Sequence, residues 1–292
     1  MTEPAAPPLP VVRTVADLRA TVSGWRREGA RIALVPTMGA LHEGHLSLVR
    51  LAREHADRVV ASVFVNPKQF APTEDLDRYP RQEAKDAELL AGASCDLLWA
   101  PSPAEMYPDG FTAAITLGGP ADGLETDFRP QMFGGVATVV AKLLNQVGPD
   151  VAVFGEKDYQ QLLVIRRLVR DLDLPVQIVA GPTGRDEHGL ALSSRNAYLS
   201  EPERAVAVRL NAVLADAAQR ARAGAPVTEV ETEAVRALLA SGFDRVDYVA
   251  VRRADDLAPF EAVVNAPARV LAAAWLGRTR LIDNMAVQPG PC

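Results

Sequence analysis

Two histidines, His42 and His45, lie three residues apart in a turn that contains glycine at positions 39 and 44. Residues 31–35 before the turn, apolar after Arg31, are typical of a short buried strand, and residues 44–56 after it have a helical pattern. Glycine lets the backbone approach a ligand closely, and the first N–H groups of a helix favour an anion. The histidines can donate hydrogen bonds to phosphate oxygens. The turn therefore indicates a phosphate-binding site.

Two other interpretations of this turn stay open. Many glycine-rich turns between a strand and a helix bind no ligand, and a histidine near a helix start can serve only as a cap. The spacing of the two histidines also suggests a metal site, but the sequence has no cysteine nearby and no third histidine in range, which disfavours zinc.

Two further turns follow predicted strands at residues 58–65 and 151–154. Their polar residues are Asn66, Lys68, Gln69, Lys157, Asp158 and Gln161. Because the carboxyl ends of parallel strands share one edge of a sheet, we expect all three turns to converge there. Such an edge commonly binds a nucleotide or another phosphorylated ligand, although each residue alone is equally typical of a solvated loop.

The segment 181–196 contains three glycines and ends in Ser193, Ser194, Arg195 and Asn196. Arginine presents a forked set of donors that suits phosphate, and mobile loops of this kind close over nucleotides. An ordinary linker with a helix cap is the alternative interpretation.

Composition restricts the class of protein. The chain has 292 residues, 48% of them hydrophobic, and a net charge of −6, which disfavours a nucleic-acid or anionic membrane surface. Its two cysteines, Cys95 and Cys292, cannot form a disulfide framework, so a reducing cytoplasm is expected. The N-terminus lacks the features of a signal peptide, and no apolar run approaches the length of a membrane span.

The alternation of apolar strands and amphipathic helices predicts an α/β fold with an open, mostly parallel sheet and helices on both faces. Towards the C-terminus the helices and strands are segregated, which predicts a smaller α+β domain. We expect a disordered, proline-rich arm at 1–12, a nucleotide- and substrate-binding domain at 13–183 and the C-terminal domain at 184–292. Residues 113–117 are predicted to form an edge strand.

Several blocks identify a resemblance to a known family. PTMGALHEGH, FVNPKQF, YPR, MYPDG, FGEKDYQQ and LALSSRN occur in this order between residues 36 and 196, and the resemblance runs from about residue 32 to residue 284. Together they resemble the pantoate–β-alanine ligase family. The HEGH turn is similar to the HIGH motif of the wider nucleotidyltransferase group, and SSRN stands where that group has its KMSKS loop.

The resemblance implies a reaction and an assembly. ATP, with Mg²⁺, and pantoate form an enzyme-bound pantoyl adenylate and pyrophosphate. The amine of β-alanine then attacks the adenylate to give pantothenate and AMP. The family is cytoplasmic and homodimeric, with a Rossmann-like N-terminal domain and a C-terminal domain that covers the site as a lid.

The resemblance also implies roles for individual residues. The catalytic residues would be His45, His42, Lys157, Ser194 and Arg195. The ATP-binding residues would be Pro36, Met38, Gly39, Ala40, Leu41, His42, Glu43, Gly44, His45, Gly155, Glu156, Lys157, Asp158, Gly184, Leu192, Ser193, Ser194 and Arg195. Gln69 and Gln161 would bind pantoate, with Gln69 also near the β-alanine position, and Asp86 aligns with an acidic residue near magnesium.

The sequence departs from the family pattern at three of these places. Leu192 replaces a methionine, and Gly184 replaces a valine whose backbone contacts adenine. Lys85 precedes Asp86 where a second acid can occur, which leaves the metal assignment open.

The chemistry explains why cationic side chains are needed. The pantoate carboxylate is already a nucleophile, but it must approach an anionic phosphate, so fixed donors lower the barrier. We expect His45, protonated beside the phosphates, to stabilise the transition state rather than to move a proton in the first step.

Two rival functions share the histidine turn. Another nucleotidyltransferase, such as a cytidylyltransferase or a tRNA-charging enzyme, would lack FVNPKQF and GEKDYQQ together. A non-catalytic regulator would bind ATP without releasing pyrophosphate. A nicotinamide oxidoreductase is disfavoured because no GxGxxG follows the first strand.

Overall fold

The computed structural model describes residues 9–71 and 76–288, and the chain forms two compact units. The first unit contains the residues up to Leu117 together with Arg129–Glu156 and Val164–Pro182. The second unit contains Gly118–Phe128, Lys157–Leu163 and the residues from Thr183 onward.

The strands are β1 (Val11–Val12), β2 (Ile32–Thr37), β3 (Arg58–Val63), β4 (Leu97–Trp99), β5 (Val151–Gly155), β6 (Gln177–Gly181), β7 (Arg245–Arg253), β8 (Ala268–Leu276) and β9 (Thr279–Val287). The helices are α1 (Val15–Arg27), α2 (Glu43–His55), α3 (Glu83–Gly92), α4 (Pro103–Met106), α5 (Glu125–Phe128), α6 (Met132–Val147), α7 (Tyr159–Asp171), α8 (Glu201–Ala207), α9 (Arg209–Arg222) and α10 (Val227–Ala240). Short 3₁₀ turns lie at Pro67–Gln69, Leu76–Arg78, Gly119–Ala121, Glu156–Asp158 and Ser194–Tyr198.

The sheet of the first unit is built from buried apolar strands. Among the described residues, six parallel strands pair in the order β1-β4-β3-β2-β5-β6. Ala33 and Val35 of β2 pack with α2 and α3 on one face, while Ile32 and Leu34 are fully buried on the other, where α6 contacts β2. Strands that are covered on both faces read as continuous apolar runs, so the predicted α/β class is confirmed.

The N-terminal arm differs in part from the expectation of disorder. Residues 1–8 lie outside the described part of the chain, but Val11 and Val12 pair in parallel with Leu98 and Trp99 of β4. The predicted edge strand at 113–117 was wrong: no strand is assigned there, and the Ile115 N–H donates to the Thr138 hydroxyl oxygen instead of to a neighbouring strand.

The second unit contains an antiparallel sheet in the order β7-β8-β9. Leu210, Leu214 and Leu238 from the helices pack with Val251 and Val270 of the sheet in one buried cluster. Helices on one face of an antiparallel sheet make the predicted small α+β unit.

Two segments from earlier in the chain, residues 118–128 and 157–163, also belong to the second unit. The predicted division of the chain at a single boundary between residues 183 and 184 does not include them. The Gln160 side-chain amide donates to the carbonyl oxygens of Pro120 (3.0 Å) and Gly123 (3.1 Å). Arg280 forms a forked ion pair with Glu125, at 2.7 and 2.9 Å. These bonds fasten residues 118–128 and 157–163 within that unit. Within the described ranges, no helix is both long and apolar enough to cross a membrane.

Candidate active site

The turn after β2 has an unusual backbone. Gly39 has φ +83° and Ala40 has φ 51°, so both residues adopt left-handed conformations. The Thr37 hydroxyl accepts from the Gly39 N–H at 3.2 Å and donates to the Ser62 carbonyl oxygen at 2.8 Å. Since a left-handed alanine is strained, the surroundings must hold this turn in place.

The side chain that holds the turn is Asp86 of α3, which is 1% exposed. One carboxylate oxygen accepts from the Ala40 N–H at 3.0 Å, and the other accepts from the Leu41 N–H at 2.9 Å. A Cβ added to Gly39 would lie 2.9 Å from Asp86 Oδ2, so only glycine allows this approach. Both oxygens are therefore engaged by the backbone, so Asp86 positions the histidine turn. Its implied place near magnesium stays a prediction.

The two histidine rings lie together at the start of α2. Their centroids are 4.1 Å apart, and the His42 N–H donates to Nδ1 of His45 at 3.4 Å. This bond uses the Nδ1 lone pair, so the proton of the neutral His45 ring lies on Nε2, which is a donor. The expectation that His45 is protonated beside bound phosphates stays a prediction.

The remaining residues of this segment lie around the histidines. Pro36 is within β2, opposite Ser62 of β3. Glu43, the first residue of α2, forms an exposed ion pair with Arg50. Gly44 follows in the first turn, where N–H groups without helical partners point out of the helix. The predicted strand, turn and helix are thus all present.

Gln69, in the turn after β3, contacts the turn after β2 that carries the histidines. Its side-chain nitrogen lies 3.1 Å from the sulfur of Met38, so the turns after β2 and β3 are in contact. Its side-chain oxygen accepts from the amide of Asn66 at 3.0 Å. Asn66 is 1% exposed and in turn accepts from the Tyr107 hydroxyl at 2.8 Å.

Tyr107 and Gly135 are contributors that the sequence interpretation missed. Burial raises the pKa of Tyr107, which keeps its hydroxyl protonated as a donor to Asn66. Gly135 of α6 lies so close to the Lys68 carbonyl oxygen that an added Cβ would be 2.2 Å from it. The block MYPDG, which contains Tyr107, was the available signal for the first; nothing in the sequence pointed to the second.

The segment after β5 is divided between the two units. Gly155 and Glu156 end the first-unit segment, where Gly155 pairs with Gly181 of β6. Lys157, Asp158 and Gln161 belong to the second unit. The carbonyl oxygen of Lys157 accepts from the Asn284 side-chain amide at 2.9 Å.

The two adjacent glutamines at the start of α7 have different environments. Gln160 is buried and holds the segment 118–128, as described above. Gln161 is partly exposed. The structure therefore makes Gln160 a structural residue and leaves Gln161 as the candidate for substrate binding.

The loop with Ser193, Ser194 and Arg195 is ordered by its own backbone. The Leu192 N–H donates to the Gly184 carbonyl oxygen at 2.9 Å, which closes a turn between them. The Ser193 hydroxyl accepts from the Arg195 N–H at 3.3 Å and caps the short 3₁₀ turn that carries Ser194 and Arg195.

The structure thus brings the predicted residues together in two sets. The first unit collects Met38, His42, His45 and Gln69, and the second contains Lys157 and the loop 184–195. The expected convergence of both sets around one triphosphate stays a prediction. In the described part of the chain, no group of three or more His, Cys, Asp or Glu residues is arranged to hold a metal ion.

Comparison with known proteins gives a consistent result. Residues 10–286 match the family model described as pantoate-beta-alanine ligase. A curated relative from Mesorhizobium japonicum, named pantothenate synthetase, is 62% identical over 277 residues, covering 95% of this chain and 97% of the relative. A pantothenate synthetase from Caulobacter vibrioides is 60% identical over 279 residues, covering 95% of this chain and 98% of the relative.

Solved structures are similar over the same length. The crystal structure of pantothenate synthetase from Thermus thermophilus has a TM-score of 0.90 and 48% identity, covering 96% of this chain and 100% of that one. The pantoate-beta-alanine ligase from Francisella tularensis, complexed with beta-gamma ATP and beta-alanine, has a TM-score of 0.80 and 32% identity, covering 95% of this chain and 97% of that one.

Proposed function

The chain belongs to the pantoate–β-alanine ligase family, and we propose that its histidine turn, Lys157 and the loop 184–195 carry out the two steps of the family reaction. The protein is an ATP-dependent ligase that condenses pantoate with β-alanine to pantothenate through pantoyl adenylate. The observation that carries the residue assignment is the Asp86-held turn, which places His45 at the start of α2 and beside the turn of Gln69.

In the first step, a pantoate carboxylate oxygen attacks the α-phosphorus of ATP, and the bond to the pyrophosphate oxygen breaks. Negative charge grows on the phosphate oxygens and on the leaving pyrophosphate. His45 Nε2–H and the first N–H groups of α2 donate to those oxygens. Lys157 and Arg195 contribute positive charge, and Ser194 contributes a hydroxyl donor.

Gln69 and Gln161 are proposed to bind pantoate. Their amides can donate to the carboxylate and hydroxyl groups without adding charge to the site. The Gln69 oxygen is occupied by Asn66, so its nitrogen is the atom directed to substrate, in exchange for the weak contact with Met38.

In the second step, the free amine of β-alanine attacks the carbonyl carbon of the adenylate. The C–N bond forms, the bond between that carbon and the AMP oxygen breaks, and the nitrogen loses a proton to solvent or to a base. The adenylate must be kept from water until then, and the proposed lid is the region 184–292.

We propose that Mg²⁺ enters with ATP as part of the substrate. The ion favours phosphate oxygens and water and needs few protein carboxylates. Two observations support this proposal: both Asp86 oxygens accept backbone hydrogen bonds, and the described residues hold no group of three or more His, Cys, Asp or Glu arranged for a metal ion. The homodimer and the cytoplasmic location implied by the family likewise stay predictions, and size-exclusion chromatography with light scattering tests the former.

The deciding experiment measures pyrophosphate release from ATP with and without pantoate, followed by AMP and amide formation on addition of β-alanine. His45→Ala should reduce adenylate formation itself by about 10²–10³-fold, the usual cost of one transition-state donor. Gln69→Ala should raise the KM for pantoate. Pyrophosphate release that ignores pantoate, or a His45→Ala variant slowed only in amide formation, would contradict the assignment.

A further inference from the structure

Two adjacent polar residues on β9, Asp283 and Asn284, are buried in the sheet of the second unit. They are 3% and 5% exposed. Burial of polar groups is costly unless each is hydrogen-bonded, so their partners indicate what the arrangement serves. Two of those partners, Arg185 and Lys157, lie in the two segments of the second unit to which phosphate handling is assigned.

Asp283 holds the loop 184–195. It forms a forked ion pair with Arg185, at 2.7 and 2.9 Å, and Arg185 also donates to the Gly189 carbonyl oxygen at 3.1 Å. A forked pair fixes orientation as well as distance. The loop is therefore fastened to β9 about ten residues before Arg195.

Asn284 holds the backbone at Lys157. Its amide nitrogen donates to the Lys157 carbonyl oxygen at 2.9 Å, and its amide oxygen accepts from Arg269 at 2.8 Å. Arg269 itself lies over the ring of Tyr159, 3.9 Å from the ring centroid. Since the oxygen faces a guanidinium, the amide can present only its NH₂ group to Lys157.

The two residues act on opposite faces of the sheet because successive strand side chains alternate. Asp283 is on the same face of β9 as Leu281 and Val287, which belong to the core under the helices. Asn284 is on the opposite face. One strand can therefore reach the loop on one face and the Lys157 segment on the other.

We propose that Asp283 and Asn284 are positioning residues for adenylate formation, which set the loop 184–195 and the Lys157 backbone relative to a single strand. This inference rests on the proposed function. Neither residue touches the reacting atoms in it. A small displacement of a positioned cation is enough to slow a reaction, by about 10²-fold for roughly 1 Å.

The test uses two isosteric variants. Asn284→Asp keeps an oxygen toward Arg269 but puts a second oxygen against the Lys157 carbonyl. Asp283→Asn keeps the shape but removes the charge that Arg185 needs. The matched control is Glu231→Gln, which weakens the ion pair with Arg252 of β7 (3.0 Å) in the same unit, outside both segments.

Hydrogen exchange of the full-length protein gives a readout apart from activity. In Asn284→Asp, exchange should rise in residues 156–159 and stay unchanged in 184–196. In Asp283→Asn the pattern should be reversed, and Glu231→Gln should change neither segment. The kcat/KM for ATP in pantoate-dependent pyrophosphate release should fall about 10–100-fold in the first two variants only.

A uniform rise in exchange, or activity within twofold of wild type in both variants, overturns the inference. A fall in activity that Glu231→Gln reproduces at a matched urea midpoint overturns it as well, since loss of stability would then suffice. If wild-type protein releases no pyrophosphate with pantoate, the proposed function fails instead, and the segment-specific exchange alone decides whether the two residues hold their segments.

Discussion

The carboxylate of Asp86 and the backbone N–H of Leu41 are joined by a 2.9 Å hydrogen bond across 45 residues of sequence. With the matching bond to Ala40, it stabilises a left-handed turn that the chain would not adopt unaided. The position of His45 thus depends on a residue of another helix. The two backbone N–H groups that Asp86 accepts from are enough to explain a carboxylate at this position, without a metal.

The first prediction distinguishes a structural role of Asp86, in holding the histidine turn, from a role as a magnesium ligand. Asp86→Asn replaces one acceptor with an NH₂ group that faces a backbone N–H, so the turn should shift. We expect kcat/KM for ATP to fall about 10–100-fold, as for other displaced catalytic groups. The Mg²⁺ concentration that gives half-maximal activity should stay the same.

The control is Glu83→Gln, on the same helix α3. Glu83 forms an exposed pair with Arg13, and that pair lowers the pKa of the carboxyl. Because the pair is solvent-exposed, its loss should leave ATP kinetics unchanged. A rise in the Mg²⁺ requirement of Asp86→Asn, with ATP kinetics otherwise normal, would show that the carboxylate binds metal after all.

The second prediction concerns the hydrogen-bonded series Tyr107, Asn66 and Gln69. Tyr107→Phe removes only the hydroxyl that donates to Asn66, so the Asn66 amide loses one of the bonds that fix its orientation toward Gln69. The KM for pantoate should rise several-fold with little change in the KM for ATP.

A double-mutant cycle provides the control for this series. If Tyr107 acts through Gln69, its substitution should have no further effect in a Gln69→Ala background. Additive losses in the double variant would mean that the two residues act independently.

Much of the fold could be predicted because burial leaves a local pattern. Strands β2 and β3 are continuous apolar runs, since both faces are covered. The two-residue strand β1 has no such pattern, and its parallel pairing with β4 depends on a partner far along the chain. Segment 118–128 was unpredictable for the same reason, as it is held by Gln160 and Arg280.

In the candidate site, too, features set by neighbouring residues could be predicted, and features set by distant residues could not. The histidine turn was predictable because its glycines, its histidines and its place between strand and helix are all local. The roles of Tyr107 and Asn284 were not, because their partners lie 41 and 127 residues away. Asp86 was located by resemblance, but its bonds to the histidine turn were not predicted, since only the structure shows which groups its oxygens contact.

The third prediction is a pH dependence of stability. Cys95 is buried, and burial raises the pKa of its thiol from 9.0 to about 11. Above pH 9 the unfolded chain ionises while the folded protein does not, so stability is lost as the pH rises toward 11. The loss should reach about 2 kcal/mol at pH 11, from about 1.36 kcal/mol for each pH unit between the two pKa values.

Urea unfolding at pH 8 and pH 11 measures this loss, in a Cys292→Ser background that leaves Cys95 as the single thiol. Cys95→Ala in the same background removes the titrating group and should flatten the difference. Parallel pH profiles for the two proteins would exclude the thiol as the cause.

The last prediction tests the contact between α6 and the Gln69 turn. An alanine Cβ at position 135 would lie 2.2 Å from the Lys68 carbonyl oxygen and 2.7 Å from the Gln69 nitrogen, and backbone cannot move aside as a side chain can. Gly135→Ala should cost about 1–3 kcal/mol in urea unfolding and raise the KM for pantoate. Gly24→Ala in α1, where an added Cβ meets nothing within 4 Å, should instead stabilise by about 0.5–1 kcal/mol. Since both changes add one methyl group to a helix, equal stability of the two variants would show that α6 does not constrain the turn.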